Sequence, residues 1–243
     1  MCGISVEFSP DGLILDHSKN IIEKQLKCME NRGPDASAIK IINPNIVMGH
    51  NRLAIIGLEK ESNQPMSYDN KFHIVFNGEI YNYKDIRDEL VRQGESFKTS
   101  SDTEVILIGY KLYGQKIFEK LRGMFSIIIY DDVLQKLFVT RDSFGIKPLY
   151  FYKSKHGKYS FSSSVKALKY SLSEEFHLNH QSKILFDWFG FIPEPDTVYS
   201  DLFAIEPGVN YEFSIEGIKK IDRNDKLENI FINIRFLMLN LLQ

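Results

Sequence analysis

The second residue of the chain places a nucleophile next to the N-terminus. Cys2 follows Met1 and precedes Gly3, and a small second residue normally permits removal of the initiator methionine. Removal leaves one residue with two reagents, because the thiol is a strong nucleophile and an α-amino group with an ordinary pKa of about 7.7–8.0 can relay its proton. Taken alone, this start is more typical of an ordinary buried terminus, so a catalytic role needs support from other motifs.

Further motifs along the chain resemble, in order and spacing, the glutaminase domain of asparagine synthetase. They are MCGI at 1–4, NRGPD at 31–35, GHNRLAIIG at 49–57, FNGEIYNY at 76–83, SDTEVIL at 101–107, RGMFSIIIYD at 122–131, RDSFGIKPLYF at 141–151 and GFIPEPDTVYSDLFAIEPG at 190–208. The resemblance extends to about residue 215. It implies a class II glutamine amidotransferase of the N-terminal-nucleophile (Ntn) hydrolase type, an α+β fold with a four-layer α/β/β/α sandwich of two mainly antiparallel sheets. Composition and periodicity alone indicate only mixed sheets and helices.

Acyl transfer from glutamine needs a group that stabilises the developing oxyanion. Asn77 and Gly78 match the family's oxyanion hole, and a side-chain amide and a glycine N–H can converge on one charge. The same dipeptide is also common in ordinary hairpin turns. Beside Cys2 and the other motifs, we interpret it as catalytic.

A pocket for free glutamine has to neutralise a carboxylate and an ammonium group. Arg52 suits the carboxylate, since guanidinium makes paired planar contacts, and the family's matching arginine has that role. Leu53 and Ile55 are expected to line the same wall. Glu79 and Asp102 match family residues that bind the ammonium. From the residues alone, Arg52 is equally typical of a surface ion pair and Asp102 of a helix cap.

The elements that would position these residues follow from hydrophobic periodicity and turn residues. A first strand covers Ile4–Phe8, and a helix runs from Ser18 to Asn31. A short strand at His73–Phe76 is expected to deliver a turn at Asn77-Gly78-Glu79. Two helices follow, over Tyr83–Gln93 capped by Asn82 and over Thr103–Tyr113 capped by Ser101 or Asp102. The remaining predicted strands are Ala36–Ile42, Ile46–Arg52, Met124–Tyr130, Leu137–Arg141, Leu149–Tyr152 and Tyr159–Ser162, the last four read as an antiparallel meander.

Other candidate features receive structural interpretations. Arg32-Gly33-Pro34-Asp35 and Gly145-Ile146-Lys147-Pro148 are expected to shape turns that hold the pocket and sheets together, and Cys28 is expected to pack in the core beside Met29. None of the six histidines has a metal-ligand spacing, and no phosphate-binding glycine loop occurs. We therefore expect neither a metal nor a cofactor in this chain.

Composition excludes several function classes. The 243 residues carry 30 Lys and Arg against 32 Asp and Glu, a net charge of -2, which argues against nucleic acid and anionic membranes as partners. The two cysteines and the lack of a signal peptide favour the cytoplasm. A composition change after Lys219 predicts a domain over residues 1–219 and a non-matching tail over 220–243. The apolar part of that tail, residues 230–242, is too short to span a bilayer and is expected to form a packed helix.

The predicted activity is hydrolysis of L-glutamine to glutamate and ammonia, for transfer to an acceptor that is aspartate by family expectation. The family's Ser-Gly-Gly-x-Asp-Ser loop does not occur, so ATP and Mg²⁺ are expected only on a synthetase domain that is separate or missing. A homo-oligomer is compatible with the sequence. Ser164 stands where the family commonly has an acidic residue, which weakens the case for coupling to a partner more than that for glutamine cleavage.

Two rival hypotheses remain open at this point. One is a papain-like cysteine hydrolase that pairs Cys2 or Cys28 with His50 or His73, although neither cysteine has the papain-type sequence context. The other is a non-catalytic glutamine-binding or assembly subunit that retains Met1.

Overall fold

A computed structural model describes residues 1–222 of the chain. The strands are β1 Gly3–Phe8, β2 Ala36–Asn43, β3 Ile46–Arg52, β4 Met66–Tyr68, β5 Phe72–Ile80, β6 Gly123–Asp131, β7 Lys136–Arg141, β8 Tyr150–Lys153, β9 Tyr159–Ser162, β10 Leu202–Ala204, β11 Val209–Ser214 and β12 Gly217–Asp222. The helices are α1 Leu15–Cys28, α2 Tyr83–Arg92, α3 Asp102–Tyr113, α4 Ile117–Lys120, α5 Val165–Ser171 and α6 His180–Phe189.

The strands form two six-stranded antiparallel sheets. One sheet has the order β10-β8-β9-β1-β3-β2, and the other has the order β12-β11-β7-β6-β5-β4. Apolar side chains from both sheets, among them Val6, Met48, Ile128 and Phe161, form the buried core between them. The two sheets are therefore the inner layers of a sandwich.

Helices cover the outer face of each sheet. Helix α1 packs Ile22 and Leu26 onto the first sheet together with Ala167 of α5, whereas apolar residues of α2 and α3, such as Leu90 and Ile106, pack on the second sheet. The predicted four-layer α/β/β/α sandwich of two antiparallel sheets is confirmed.

The pairing of β1 with β3 positions the N-terminal nucleophile. Gly3 lies opposite Asn51 in the antiparallel register. Because β1 is an interior strand whose residues are all buried, the start of the chain is held firmly. Cys2 and Arg52, one residue beyond the paired Gly3 and Asn51, therefore meet at the same end of the sheet.

The prediction of a turn at Asn77-Gly78-Glu79 is wrong, because strand β5 continues through these residues to Ile80. Asn77 pairs with Ser126 and Gly78 with Phe125 of β6. A Cβ atom at Gly78 would collide with the carbonyl oxygen of Met124. The glycine therefore permits close approach of the neighbouring strand and does not serve a hairpin.

Several local predictions also need correction. Asn82 precedes α2 but makes no capping hydrogen bond; its side chain instead bonds the main chain of Lys120 and Arg122. Ser101 caps α3 by accepting from the N–H of Glu104. Cys28 is exposed although Met29 is buried, because successive helical residues point about 100° apart.

The predicted meander is divided between the two sheets. Strands β6 and β7 pair in one sheet, and β8 and β9 pair in the other. The segment that crosses between them is organised by Asp142, whose carboxylate accepts main-chain N–H groups from residues on both sides of the crossing, including Phe125 and Ile146. Side-chain bonding of this kind is not visible in hydrophobic periodicity.

Strand β12 is the last element of the described residues. This strand pairs with β11 through Asp222, so the predicted domain boundary at residue 219 falls inside it. The helix predicted over 230–242 lies outside the described residues. Within residues 1–222, no helix is long and apolar enough to cross a membrane.

Candidate active site

One cavity of about 280 Å³ brings together all eight residues predicted to act on or bind the substrate. They are Cys2, Arg52, Leu53, Ile55, Asn77, Gly78, Glu79 and Asp102. The cavity opens between the ends of the two sheets, where β1 starts, β3 ends and β5 passes. It has space for a small molecule, and the lining includes both acidic and basic side chains.

The Cys2 thiol lies against the main chain of Leu53. The Leu53 N–H donates to Cys2 Sγ over 3.4 Å, and the thiol lies 3.7 Å from the Leu53 carbonyl oxygen. Burial raises the pKa of Cys2, while the Leu53 hydrogen bond, the N-terminal amine and Arg52 lower it. A nearby amine can thus assist formation of the thiolate, which is the reactive form.

Arg32 and Asp35 fix the two segments that carry the thiol and its neighbours. Arg32 Nε donates to the carbonyl oxygen of Cys2 over 3.0 Å, and Asp35 Oδ2 accepts from the N–H of Ala54 over 2.8 Å. A Cβ at Gly33 would collide with the main chain of Asn51. This motif therefore joins the N-terminus to the end of β3, a contact that the sequence did not reveal because it depends on tertiary packing.

Asn77 and Gly78 supply two hydrogen-bond donors to the lining of the cavity. Asn77 is 1% exposed, and its Nδ2 has no hydrogen-bond partner among the described residues. Phe76 and Ile80 donate their N–H groups to Gln64 and Asp102, and strand alternation places the Gly78 N–H on the same edge. A buried amide without a partner costs about 1–3 kcal/mol, so this pair is suited to an incoming oxygen.

Two carboxylates form the acidic side of the cavity. Asp102 Oδ2 accepts from the N–H of Ile80 over 3.1 Å. Burial, together with the neighbouring charge of Glu79, raises the pKa of Asp102 to about 6 against backbone hydrogen bonds that lower it. A cationic ligand between the two carboxylates would offset both the cost of burying the Asp102 charge and its repulsion by Glu79. The alternative role of Asp102 as a helix cap is wrong, because Ser101 caps α3.

Arg52 organises the wall that closes the cavity. It is 6% exposed, and its guanidinium donates to the carbonyl oxygens of Ile56, Gly57 and Glu59 and to Asn63 Oδ1. It is therefore not a surface ion pair. The segment from residue 53 to 63, which includes the exposed Ile55, is folded around this side chain.

Several lining residues were not predicted. They include Met1, Ile56, Ser62, Gln64, Phe76, Thr103, Met124 and Lys147. Lys147 belongs to a motif that was expected only to shape a turn, and no local signal distinguished Gln64 or Thr103. Met1 occupies space beside the thiol, so its removal would enlarge the cavity at the reactive atom.

The papain-like alternative does not fit this geometry. No histidine is among the described residues that line the cavity. His50 contacts the Phe76 carbonyl oxygen, and His73 contacts Ser67. Residues 1–222 also contain no group of three or more His, Cys, Asp or Glu side chains arranged to hold a metal ion.

Comparison with known proteins finds a matching family and named relatives. Residues 1–223 match the family described as glutamine amidotransferase domain. The chain is 36% identical over 219 residues to asparagine synthetase [glutamine-hydrolyzing] 1 of Bacillus subtilis, covering 89% of this chain and 34% of that protein. It is 33% identical over 239 residues to putative asparagine synthetase [glutamine-hydrolyzing] 2 of Methanocaldococcus jannaschii, covering 89% of this chain and 44% of that protein. The chain thus spans less than half the length of these relatives.

Solved structures share the fold at low sequence identity. The structure titled as the allosteric regulatory enzyme of purine biosynthesis has a TM-score of 0.65 and 20% identity, covering 91% of this chain and 49% of that one. Glutamine phosphoribosylpyrophosphate amidotransferase from B. subtilis has a TM-score of 0.64, with the same identity and coverage.

Proposed function

The chain belongs to the family of glutamine amidotransferase domains, and from that membership we propose that it hydrolyses the side-chain amide of L-glutamine with Cys2 as its nucleophile. The observation that carries the proposal is that one cavity holds both the Cys2 thiol and the Asn77 amide, whose Nδ2 has no hydrogen-bond partner within residues 1–222. Relatives named as glutamine-hydrolysing asparagine synthetases support the choice of substrate.

The charges around the cavity suit a free amino acid as substrate. Glu79 and Asp102 take the α-ammonium, since both carboxylates line the cavity and repel one another in its absence. Arg52 binds the α-carboxylate, and its guanidinium gives up some of its hydrogen bonds to loop carbonyl oxygens to do so. Hydrogen bonds between two charged groups are stronger than those to neutral oxygens, which favours this exchange. Leu53 and Ile55 line the aliphatic part. These contacts direct the side-chain amide towards Cys2.

The chemical step starts after removal of Met1. The α-amine then belongs to Cys2 itself, and its proximity favours the thiolate more than the amine of Met1 does. The amine accepts the thiol proton while Sγ attacks the amide carbon. Asn77 Nδ2 and the Gly78 N–H stabilise the oxyanion that forms, and loss of one such donor typically costs about 2.7–4 kcal/mol in the barrier.

Collapse of this intermediate releases ammonia and leaves a thioester. The α-ammonium returns its proton to the departing nitrogen as the C–N bond breaks. The same amine then activates a water molecule, which attacks the thioester carbon in the same oxyanion hole. The C–S bond breaks, the thiol is restored and glutamate leaves.

The proposal includes an acceptor for the ammonia outside the described residues. Relatives of greater length with asparagine synthetase names support aspartate on an ATP- and Mg²⁺-dependent synthetase domain. That domain is either another part of a longer protein or a separate partner. We further propose that the glutaminase unit, predicted to end at residue 219, extends through the end of β12, and that it acts in the cytoplasm.

A glutaminase assay with two cysteine variants tests the proposal. The unsubstituted protein should release glutamate and ammonia from glutamine, Cys2→Ala should abolish turnover while still binding glutamine, and Cys28→Ala should keep full activity because Cys28 is exposed. Unchanged turnover in Cys2→Ala would refute the assignment. Glutamine binding without turnover in the unsubstituted protein would favour the non-catalytic alternative.

A further inference from the structure

His50 is not among the residues that line the cavity, but it contacts the strand that carries the oxyanion donors. It is 1% exposed on β3, and its Nε2 lies 3.0 Å from the carbonyl oxygen of Phe76. A carbonyl oxygen only accepts, so Nε2 carries the proton. Burial lowers the pKa of His50 to about 4, and Nδ1 has no partner among the described residues. His50 is therefore a neutral donor at physiological pH.

The contact lies in the part of β5 that no longer pairs with β4. Strand β4 pairs with β5 only as far as Ile74, so the outward main-chain groups of Phe76 have no strand to bond. Side chains replace it: Gln64 Oε1 accepts from the Phe76 N–H over 2.6 Å, and His50 donates to the Phe76 carbonyl. Both polar groups of Phe76 are thereby fixed.

That carbonyl belongs to the peptide group that joins Phe76 to Asn77. Because a peptide unit is planar, fixing its oxygen also fixes the orientation of the main chain where it enters Asn77 within β5. Among residues 1–222, the next side-chain hydrogen bond to this edge of β5 is the one that Asp102 accepts from the Ile80 N–H. The direction of both oxyanion donors thus depends on the Phe76 peptide.

We propose that His50 is a positioning residue for glutamine hydrolysis, which holds the Phe76–Asn77 peptide and thereby the oxyanion donors in their reactive geometry. The inference rests on the proposed function. It assigns His50 no proton transfer, since its Nε2 proton is engaged with a carbonyl oxygen and the ring is absent from the cavity lining. Small displacements of such donors lower the rate strongly, because about 1 Å of misplacement can cost a hundredfold.

Three substitutions separate this role from a general loss of packing. In His50→Gln, the amide nitrogen can occupy the place of Nε2 and restore the donor. In His50→Asn, the amide is too short to reach, and His50→Leu fills the space without a donor. We expect kcat to fall by about tenfold to a hundredfold in the Asn and Leu variants and by less than about threefold in the Gln variant. Glutamine KM should change little in all three.

Binding and stability measurements accompany the kinetics. Each substitution is also introduced into Cys2→Ala, where glutamine affinity should stay within about twofold, and thermal unfolding and circular dichroism verify the fold. If the Asn and Leu variants do not fold, His50→Met replaces them, because it matches the length of the Gln variant without supplying a donor to the Phe76 carbonyl oxygen, and it should lower kcat in the same way.

The outcomes are distinguishable. Folded Asn and Leu variants with unchanged kcat, an inactive Gln variant, or an unchanged kcat in His50→Met where it replaces them, would overturn the positioning role while leaving the proposed function in place. Absence of turnover in the unsubstituted protein would overturn the proposed function and this inference with it.

Discussion

The main-chain N–H of Leu53 points at the sulfur of Cys2 from 3.4 Å. Leu53 follows directly after Arg52, whose guanidinium hydrogen-bonds to residues of the segment from 53 to 63, the wall of the cavity. The nucleophile is thus held by the same short segment that shapes the substrate pocket. This arrangement connects binding to reactivity, and the predictions below separate the two.

Loss of the Asn77 amide should affect the chemical step. We expect Asn77→Ala to lower kcat about a hundredfold to a thousandfold, because Nδ2 is buried with no partner in the described part of the chain and the proposed bond forms mainly in the transition state. KM for glutamine should change less than threefold. Steady-state glutaminase kinetics measure both values.

A matched control is Asn45→Ala. Asn45 donates to the carbonyl oxygen of Pro10 over 3.1 Å and lies in the turn at the opposite end of β3 from Arg52, so its loss should leave kcat unchanged. Equal kcat in the Asn77 and Asn45 variants would exclude Asn77 from the oxyanion hole.

Substitution of Arg52 should affect substrate binding. Lysine has one ammonium group and cannot make the planar paired contact, so Arg52→Lys should raise the glutamine KM more than it lowers kcat. It should also lower the melting temperature, because the buried hydrogen bonds to the wall are lost. Arg92→Lys, on the exposed face of α2, serves as the control. Equal losses in kcat and kcat/KM would contradict carboxylate binding by Arg52.

The pH dependence of KM should report Asp102. Its pKa of about 6 means that Asp102 is charged at pH 7 and becomes neutral as the pH falls through 6, when it loses attraction for the substrate ammonium. We expect KM to rise by roughly tenfold between pH 7 and pH 5, measured from glutamate release at saturating and limiting glutamine.

Asp102→Asn provides the comparison, with a raised KM that no longer changes over this range. A KM that does not change with pH in the unsubstituted protein would show that Asp102 does not bind the ammonium.

The raised pKa of Asp102 also affects the stability of the fold. The native state binds the proton more tightly than the unfolded chain, so the contribution of Asp102 to stability falls as the pH rises from about 4 to about 6.

The candidate site was predictable because residue type and motif order carry its chemistry. A cysteine at position 2, an arginine at the end of a predicted strand and acidic residues beside a glycine are visible in a linear sequence, and all of them line one cavity. The two-sheet sandwich, in contrast, came from the family resemblance, since local periodicity does not determine which strands pair.

The contacts that support the site were not predictable, because local periodicity does not determine which distant segments of the chain meet. Arg32 reaches Cys2, Gln64 replaces a strand beside Phe76 and His50 bonds across the two sheets, and each contact joins residues that are distant in sequence. The Asn77-Gly78 pair looked like a turn because such pairs usually are turns. Its place inside β5 follows from the nine-residue pairing with β6, which local propensity does not contain.

The central claim is that a processed N-terminal cysteine attacks glutamine. The most direct measurement is intact and peptide mass spectrometry of active protein after reaction with a chloroketone analogue of glutamine. We predict a chain that lacks Met1 and carries one label on Cys2, with loss of turnover in proportion to labelling and protection by glutamine. A fully active chain that retains Met1, or a label on Cys28 that abolishes turnover, would contradict the mechanism.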